Sequence, residues 1–119
     1  MNRGEIWTLA GGPDYAGKPR PCVILQSDAF RETASLTVCT MTSDPTAMPI
    51  FRIPIQPSAL NGLEKPSQLM ADKVTTIPKT KLGRKIGRLE DSDLQQLGQA
   101  LIIFLSLAEG SPRGNAVTQ

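Results

Sequence analysis

The sequence predicts a mainly β domain with one C-terminal helix: a small, strongly curved sheet or partly open barrel with the helix packed alongside. Three observations lead there. Short runs of strand length, apolar or alternating, recur through the chain up to about Arg88. Clusters of Gly, Pro, Ser and Asn separate them. From about Ser92 the apolar period changes from two residues to that of a helix.

The first strand is expected at Glu5 to Leu9, closed by the turn signal Ala10-Gly11-Gly12-Pro13. The second, Cys22 to Gln26, is a continuous apolar run and should be buried on both faces. Leu36 to Thr42 alternates, with Leu36, Val38 and Thr40 on one side and Thr37, Cys39 and Met41 on the other. Phe51, Ile53 and Ile55 alternate with Arg52 and Pro54, and Pro54 marks an edge strand because it has no N–H to donate. Further strands are expected at Ser67 to Met70 and Lys85 to Arg88. The loops Ser43 to Pro49 and Pro57 to Pro66 should carry exposed tips, where function tends to sit.

The helix is marked by Leu94, Leu97, Leu101, Ile102, Leu105 and Ala108, with Asp91 or Glu90 as its cap and Gly110 as its stop. Asp91 and Asp93 suit the positive end of its dipole. Ile103 and Phe104 widen the apolar stripe, which reads either as a subunit contact or, slightly preferred, as a helix buried more deeply. Residues 1–110 are read as one domain and 111–119 as a flexible tail.

Composition excludes much. The chain has 119 residues, a formal net charge of +2 and no histidine, so it lacks the usual neutral-pH base and the commonest metal ligand. Cys22 and Cys39 lie in apolar runs and read as buried thiols of a reducing compartment, although a cross-strand disulfide stays open. No metal site or cofactor is expected, since no metal-ligand cluster, Walker-type loop or Ser-His-Asp set is present. The N-terminal stretch lacks the apolar core of a signal peptide, and Ala100 to Ala108 is too short to cross a bilayer, so a cytoplasmic protein with no membrane partner is expected. Lys65, Lys73, Lys79, Lys81, Arg84, Lys85 and Arg88 face a single acid, Asp72, within one block. That block is equally a polyanion-binding surface or a solvated basic face.

One cation stands out. Pro19 and Pro21 bracket Arg20 at the mouth of the second strand and leave it little backbone freedom. A guanidinium fits two phosphate oxygens at once. Catalysis here must rest on Arg, Lys, Thr, Ser, Tyr and Asp, and RNA strand cleavage accommodates that set because the substrate's own 2′-hydroxyl is the nucleophile.

Four stretches, "RGEIWTL" (Arg3 to Leu9), "RPCVILQSDAF" (Arg20 to Phe30), "VCTMTSD" (Val38 to Asp44) and "DKVTTIPKTKLGRKIGRLEDSDLQQLGQAL" (Asp72 to Leu101), resemble the MazF/PemK (Kid) toxins. These are messenger-RNA endoribonucleases of type II toxin–antitoxin pairs. The resemblance implies a compact SH3-like β-barrel of the CcdB/PemK type, a homodimer, single-stranded RNA as substrate and a cognate antitoxin as partner. It implies metal-independent, sequence-specific cleavage leaving a 2′,3′-cyclic phosphate and a 5′-hydroxyl. It places the catalytic arginine at Arg20, the catalytic Thr/Ser at Thr42 and an assisting aspartate at Asp72. RNA contacts are expected from Asp14, Tyr15, Lys18, Ser43, Lys73 and Lys79. Tyr15 stands where the family often has Glu, and its ring offers a base a stacking face. Lys73-Val74-Thr75-Thr76 replaces the family's Gln-x-Arg-Thr, and Met70 replaces a basic residue of the PemK branch. Two other readings share the fold: a gyrase-binding toxin like CcdB, and a degenerate member that binds RNA or antitoxin without cleaving.

Overall fold

The computed structural model describes residues 1–10, 19–44 and 51–108. The turn at Gly11 to Pro13, the candidate contacts Asp14, Tyr15 and Lys18, most of the loop after Ser43, and the tail 111–119 lie outside the described residues.

Six strands and one helix follow in order: β1 Glu5–Leu9, β2 Arg20–Ile24, β3 Ser35–Thr42, β4 Arg52–Ile55, β5 Ser67–Pro78, β6 Leu82–Arg88 and α1 Asp91–Leu105. They form one antiparallel sheet in the order β4-β5-β3-β2-β1-β6. No ladder joins the edge strands β4 and β6, so the sheet is curled but open. β4 is an edge strand, as Pro54 required.

The chain after β4 brings the two edges together without pairing them. Arg88 N donates to Leu60 O at 3.0 Å, which ties this loop to β6. Gly62 has φ +68°, and a Cβ there would lie 2.0 Å from the Ile86 carbonyl oxygen, so only glycine lets the loop approach so closely. Asn61, 1% exposed, accepts from Ser58 N (2.9 Å) and Leu63 N (3.0 Å) and donates to Gln56 O (2.8 Å). The expectation of an exposed tip from Pro57 to Pro66 therefore fails at its centre. Asn61 and Leu63 are buried because this loop closes the curl.

The register of β2 on β3, Cys22 opposite Thr40 and Val23 opposite Cys39, sends the two cysteines to opposite faces. Both are free and buried. Cys39 joins the larger core with Ile6, Val23, Met41, Ile53, Ile55, Leu69 and Leu97 under the helix, while Cys22 joins a smaller one with Ile24, Leu36, Val38 and Leu82. Burial pushes the Cys22 thiol up to about 11 and that of Cys39 to about 12, so both stay protonated at neutral pH.

Several elements run differently from expectation: β2 spans Arg20–Ile24 rather than Cys22 to Gln26, and β6 begins at Leu82 rather than Lys85. β5 continues to Pro78 rather than ending near Met70. Its first residues are buried between β3 and β4, and beyond Asp72 it is half-exposed, a change of environment that hides the strand's length from a periodicity reading. The helix ends at Leu105, with Ser106 as a left-handed cap at φ 57°, well short of Gly110. Glu90 is the N-cap residue but makes no side-chain cap bond; its carboxylate accepts from Ser58 Oγ at 3.4 Å instead. The deeper burial preferred for the widened stripe is not found. Ile103, Phe104 and Leu105 are exposed by 70, 45 and 51%, since only the Leu97 side of α1 meets the sheet.

Candidate active-site groove

A groove of about 1000 Å³ opens at the end of the sheet where β2 begins and β3 stops. Antiparallel pairing builds its floor. β2 and β3 pair from Cys22 opposite Thr40 to Ile24 opposite Val38, so Arg20, which opens β2, and Thr42, which ends β3, lie at the same end of the pair. Thr42 in turn pairs with Gln68 of β5, and Gln68 pairs with Pro54 of β4. Paired residues share a face, and neighbouring strands lie about 4.8 Å apart. Thr42, Gln68 and Pro54 thus form one row across three strands.

Arg20, Thr42 and Ser43 all line the groove. Pro19 and Pro21 line it beside Arg20, so the stiff dipeptides seen in the sequence form part of its wall. The Thr42 hydroxyl oxygen accepts from Asp44 N at 3.1 Å. That bond uses an oxygen lone pair and leaves the hydroxyl proton available for donation. Lys65, Arg84 and Lys85 line the same groove, with Glu64 as the carboxylate among the described lining residues. The sequence marked the basic block as a whole; the sheet order selects from it, because β6 joins β1 and so stands on the Arg20 side. Arg84 N donates to Thr8 Oγ1 at 2.9 Å, and Lys85 pairs with Glu5 at 3.4 Å. Burial alone would raise the Glu5 carboxyl, but bonds from Trp7 and Lys85 and the Asn2 backbone bring it below its ordinary value.

The remaining candidates lie elsewhere. Asp72 does not line the groove. It sits where β5 bulges between the pairs Cys39–Val74 and Met41–Leu69. Arg52, opposite Met70 on β4, grips it with both ends of its guanidinium: Nε to Oδ1 at 2.9 Å and Nη2 to Oδ2 at 3.0 Å. The Arg52 bonds hold the Asp72 carboxyl below the usual carboxylate range. Sequence reasoning missed Arg52; the one available signal was a cation on an edge strand that pairs with the segment carrying Asp72. Lys73 is exposed further along β5, where its carbonyl accepts from Thr40 Oγ1 at 3.3 Å. Lys79 donates through Nζ to the Arg31 carbonyl, beside the Ser35 end of β3. That is roughly 23 Å along the strand from Thr42.

Beyond Thr42 the groove meets a smaller recess lined by Ser43, Pro54, Lys65, Pro66 and Gln68. Gln68 is 6% exposed, its Nε2 donates to Asp44 O at 3.3 Å, and its Oε1 has no partner among the described residues. A buried acceptor left so costs about 1–3 kcal/mol.

The family model of the PemK-like, MazF-like toxins of type II toxin–antitoxin systems matches residues 2–105. The chain belongs to that family. A probable endoribonuclease MazF of Mycolicibacterium smegmatis is 45% identical to this PemK/MazF chain over 108 residues, which cover 91% of the chain and 99% of the relative. The endoribonuclease MazF9 of Mycobacterium tuberculosis is 30% identical over 116 residues, covering 90% and 98%. Among solved structures, the Mycobacterium tuberculosis toxin MazF-mt6 superposes with a TM-score of 0.71 at 30% identity, over 86% of this chain and 96% of that one.

Proposed function

We propose that the Arg20–Thr42 groove is where this toxin cleaves single-stranded RNA, without a metal, by transfer to the substrate's own 2′-hydroxyl. The relatives are named endoribonucleases over nearly their whole length, and the family is that of toxin–antitoxin systems. The observation that carries the reading is that Arg20 and Thr42 line one groove whose charged described residues are four cations and one carboxylate.

The chemistry balances on few groups. The 2′-oxygen attacks phosphorus and loses its proton, the P–O5′ bond breaks, and O5′ gains a proton. The products are a 2′,3′-cyclic phosphate and a 5′-hydroxyl. Arg20 neutralises the charge that builds on the non-bridging oxygens, and Thr42 donates its hydroxyl proton to one of them. Fixed donors of this kind contribute roughly 10²–10³ each in rate. Lys65, Arg84 and Lys85 steer the phosphates on either side. Asp72, held as an anion by Arg52 and away from the groove lining, stands outside the reaction and ties β5 to β4. Ser43 lies on the groove as an RNA contact, and Lys73 meets RNA only outside it.

The same cationic groove fits an acidic antitoxin segment, which would block RNA by occupying its phosphate positions. The exposed apolar end of α1 suits a homodimer. No helix among the described residues is long and apolar enough to cross a membrane, and two free buried thiols agree with action in a reducing cytoplasm.

Purified protein incubated with a long RNA, with cut ends mapped, tests the reading. Cuts with 5′-hydroxyl ends that persist in EDTA are expected, and they should disappear in Arg20→Ala. A Mg²⁺ requirement, or full activity of Arg20→Ala, would overturn it. Inhibited supercoiling without cuts would point to a gyrase-binding toxin, and salt-dependent RNA binding without turnover to a non-cleaving member.

A further inference from the structure

The attacking 2′-hydroxyl must give up a proton, whereas Arg20 and Thr42 act as donors. The usual acceptor is a histidine, and the chain has none. Asp72 is bound by Arg52 away from the groove lining. Glu5 accepts from Trp7 Nε1 at 2.9 Å, pairs with Lys85 at 3.4 Å and does not line the groove either. Among the described residues one carboxylate lines the groove, Glu64, in the company of Arg20, Thr42, Lys65, Arg84 and Lys85. It is exposed and makes no hydrogen bond or ion pair with the described residues. Folding does not use it, and a bare negative charge among four cations weakens their pull on RNA phosphates.

The backbone around Glu64 is anchored on both sides. Before it, Gly62 presses on Ile86 of β6, the Asn61 amide binds the backbone of Gln56, Ser58 and Leu63, and the Leu63 side chain is buried in the larger core. After it, Ser67 Oγ donates to Lys65 O at 3.0 Å, and Ser67 opens β5 one residue ahead of Gln68, the partner of Thr42. Glu64 therefore stands on a short span between the β6 side of the groove and the strand next to Thr42.

We propose that Glu64 is the general base that takes the proton of the 2′-hydroxyl. The inference rests on the RNA-cleavage reading above and adds the acceptor that this chemistry needs. As the 2′-oxygen bonds to phosphorus, its proton passes to a Glu64 carboxylate oxygen. The P–O5′ bond breaks with its electron pair on O5′, which takes a proton from water, and the Glu64 carboxylic acid then returns its own proton to water. A placed base of this kind contributes about 10²–10⁴-fold in rate.

The test separates rate from affinity, because a base and a mere counter-charge predict opposite results. On a short RNA that the wild type cuts, Glu64→Gln should lower kcat by about 10²-fold or more. The same variant should bind an RNA blocked by a 2′-O-methyl group at the cut as tightly as the wild type or more tightly, with an unchanged melting temperature. Glu64→Ala should regain rate in proportion to added formate, and Arg20→Ala should not. A kcat within about twofold of wild type, or a loss in Glu64→Ala that formate does not restore, overturns the assignment and leaves the cleavage reading intact. So does a loss found in Asp14→Asn while Glu64→Gln keeps its kcat. A wild-type protein that makes no cuts overturns both.

Discussion

Arg20 and Arg52 each open a strand, β2 and β4, yet their surroundings ask different things of them. Arg52 spends its guanidinium on one carboxylate, in a two-point pair whose side chains are each 18% exposed. Arg20 stands in a groove wall with Lys65, Arg84 and Lys85, where like charges accumulate and only Glu64 opposes them among the described lining residues. Arg52 thus ties β4 to β5, whereas the cations gathered along the groove make a positive field that attracts an anion. The difference lies in strand order: β4 pairs only with β5, which carries Asp72, whereas β2 ends beside Thr42 in the groove that β6 also lines.

That contrast breaks most visibly at Arg20. Arg20→Ala should lower the cleavage rate by roughly 10²–10³-fold, read on a fluorogenic RNA, with a smaller change in melting temperature than Arg52→Ala shows. Arg20→Lys should recover little, since an ammonium cannot hold two phosphate oxygens in one plane. Arg52→Ala should act on stability, lowering it by about 1 kcal/mol, or about 4 °C in melting temperature. A double-mutant cycle sharpens the comparison. Arg52→Ala and Asp72→Ala should couple by about 1 kcal/mol, while Arg20→Ala and Asp72→Ala should add within about 0.5 kcal/mol. A large coupling in the second cycle would place Asp72 in the reaction after all.

The pair also sets a pH dependence. The Asp72 carboxyl titrates lower folded than unfolded because Arg52 binds its anion. Its stabilisation is therefore complete above the unfolded value of about 3.9 and fades as pH falls through the lower folded value. The stability gap between wild type and Asp72→Asn, followed by thermal melts, should be constant from pH 5 to 7 and shrink as the pH falls below the ordinary carboxylate value of about 3.9. The smallest effect is expected at Lys79, whose place beside the far end of β3 predicts less than about a twofold change in cleavage for Lys79→Ala.

Much of this could be read from the chain. Alternation at Leu36 to Thr42, the proline of β4 and the period of α1 are local signals, and the structure keeps them. Arg20 stood out in the sequence by its two flanking prolines and Thr42 by the family resemblance, and the pairing of β2 with β3 follows from an ordinary antiparallel neighbour. Arg84, Lys65 and Arg52 did not stand out, since each gains its meaning from a partner far away in sequence. Lys65 reaches the groove only because Gly62 lets its loop press against Ile86. Gln68 looked like a polar residue at a strand start, and nothing local announced that its amide would be buried with one atom unpaired.

The open, curled sheet decides when the groove forms. Its groove is assembled from Thr8, Arg20, Thr42, Lys65 and Arg84, residues contributed by almost every stage of synthesis. The last of them sits on β6, which must join β1 at the start of the chain and receive the Leu60 carbonyl on its final residue before the wall exists. A nascent or partly unfolded chain holds the reactive side chains but no groove. The groove is therefore a property of the folded sheet, complete only once β6 has joined β1.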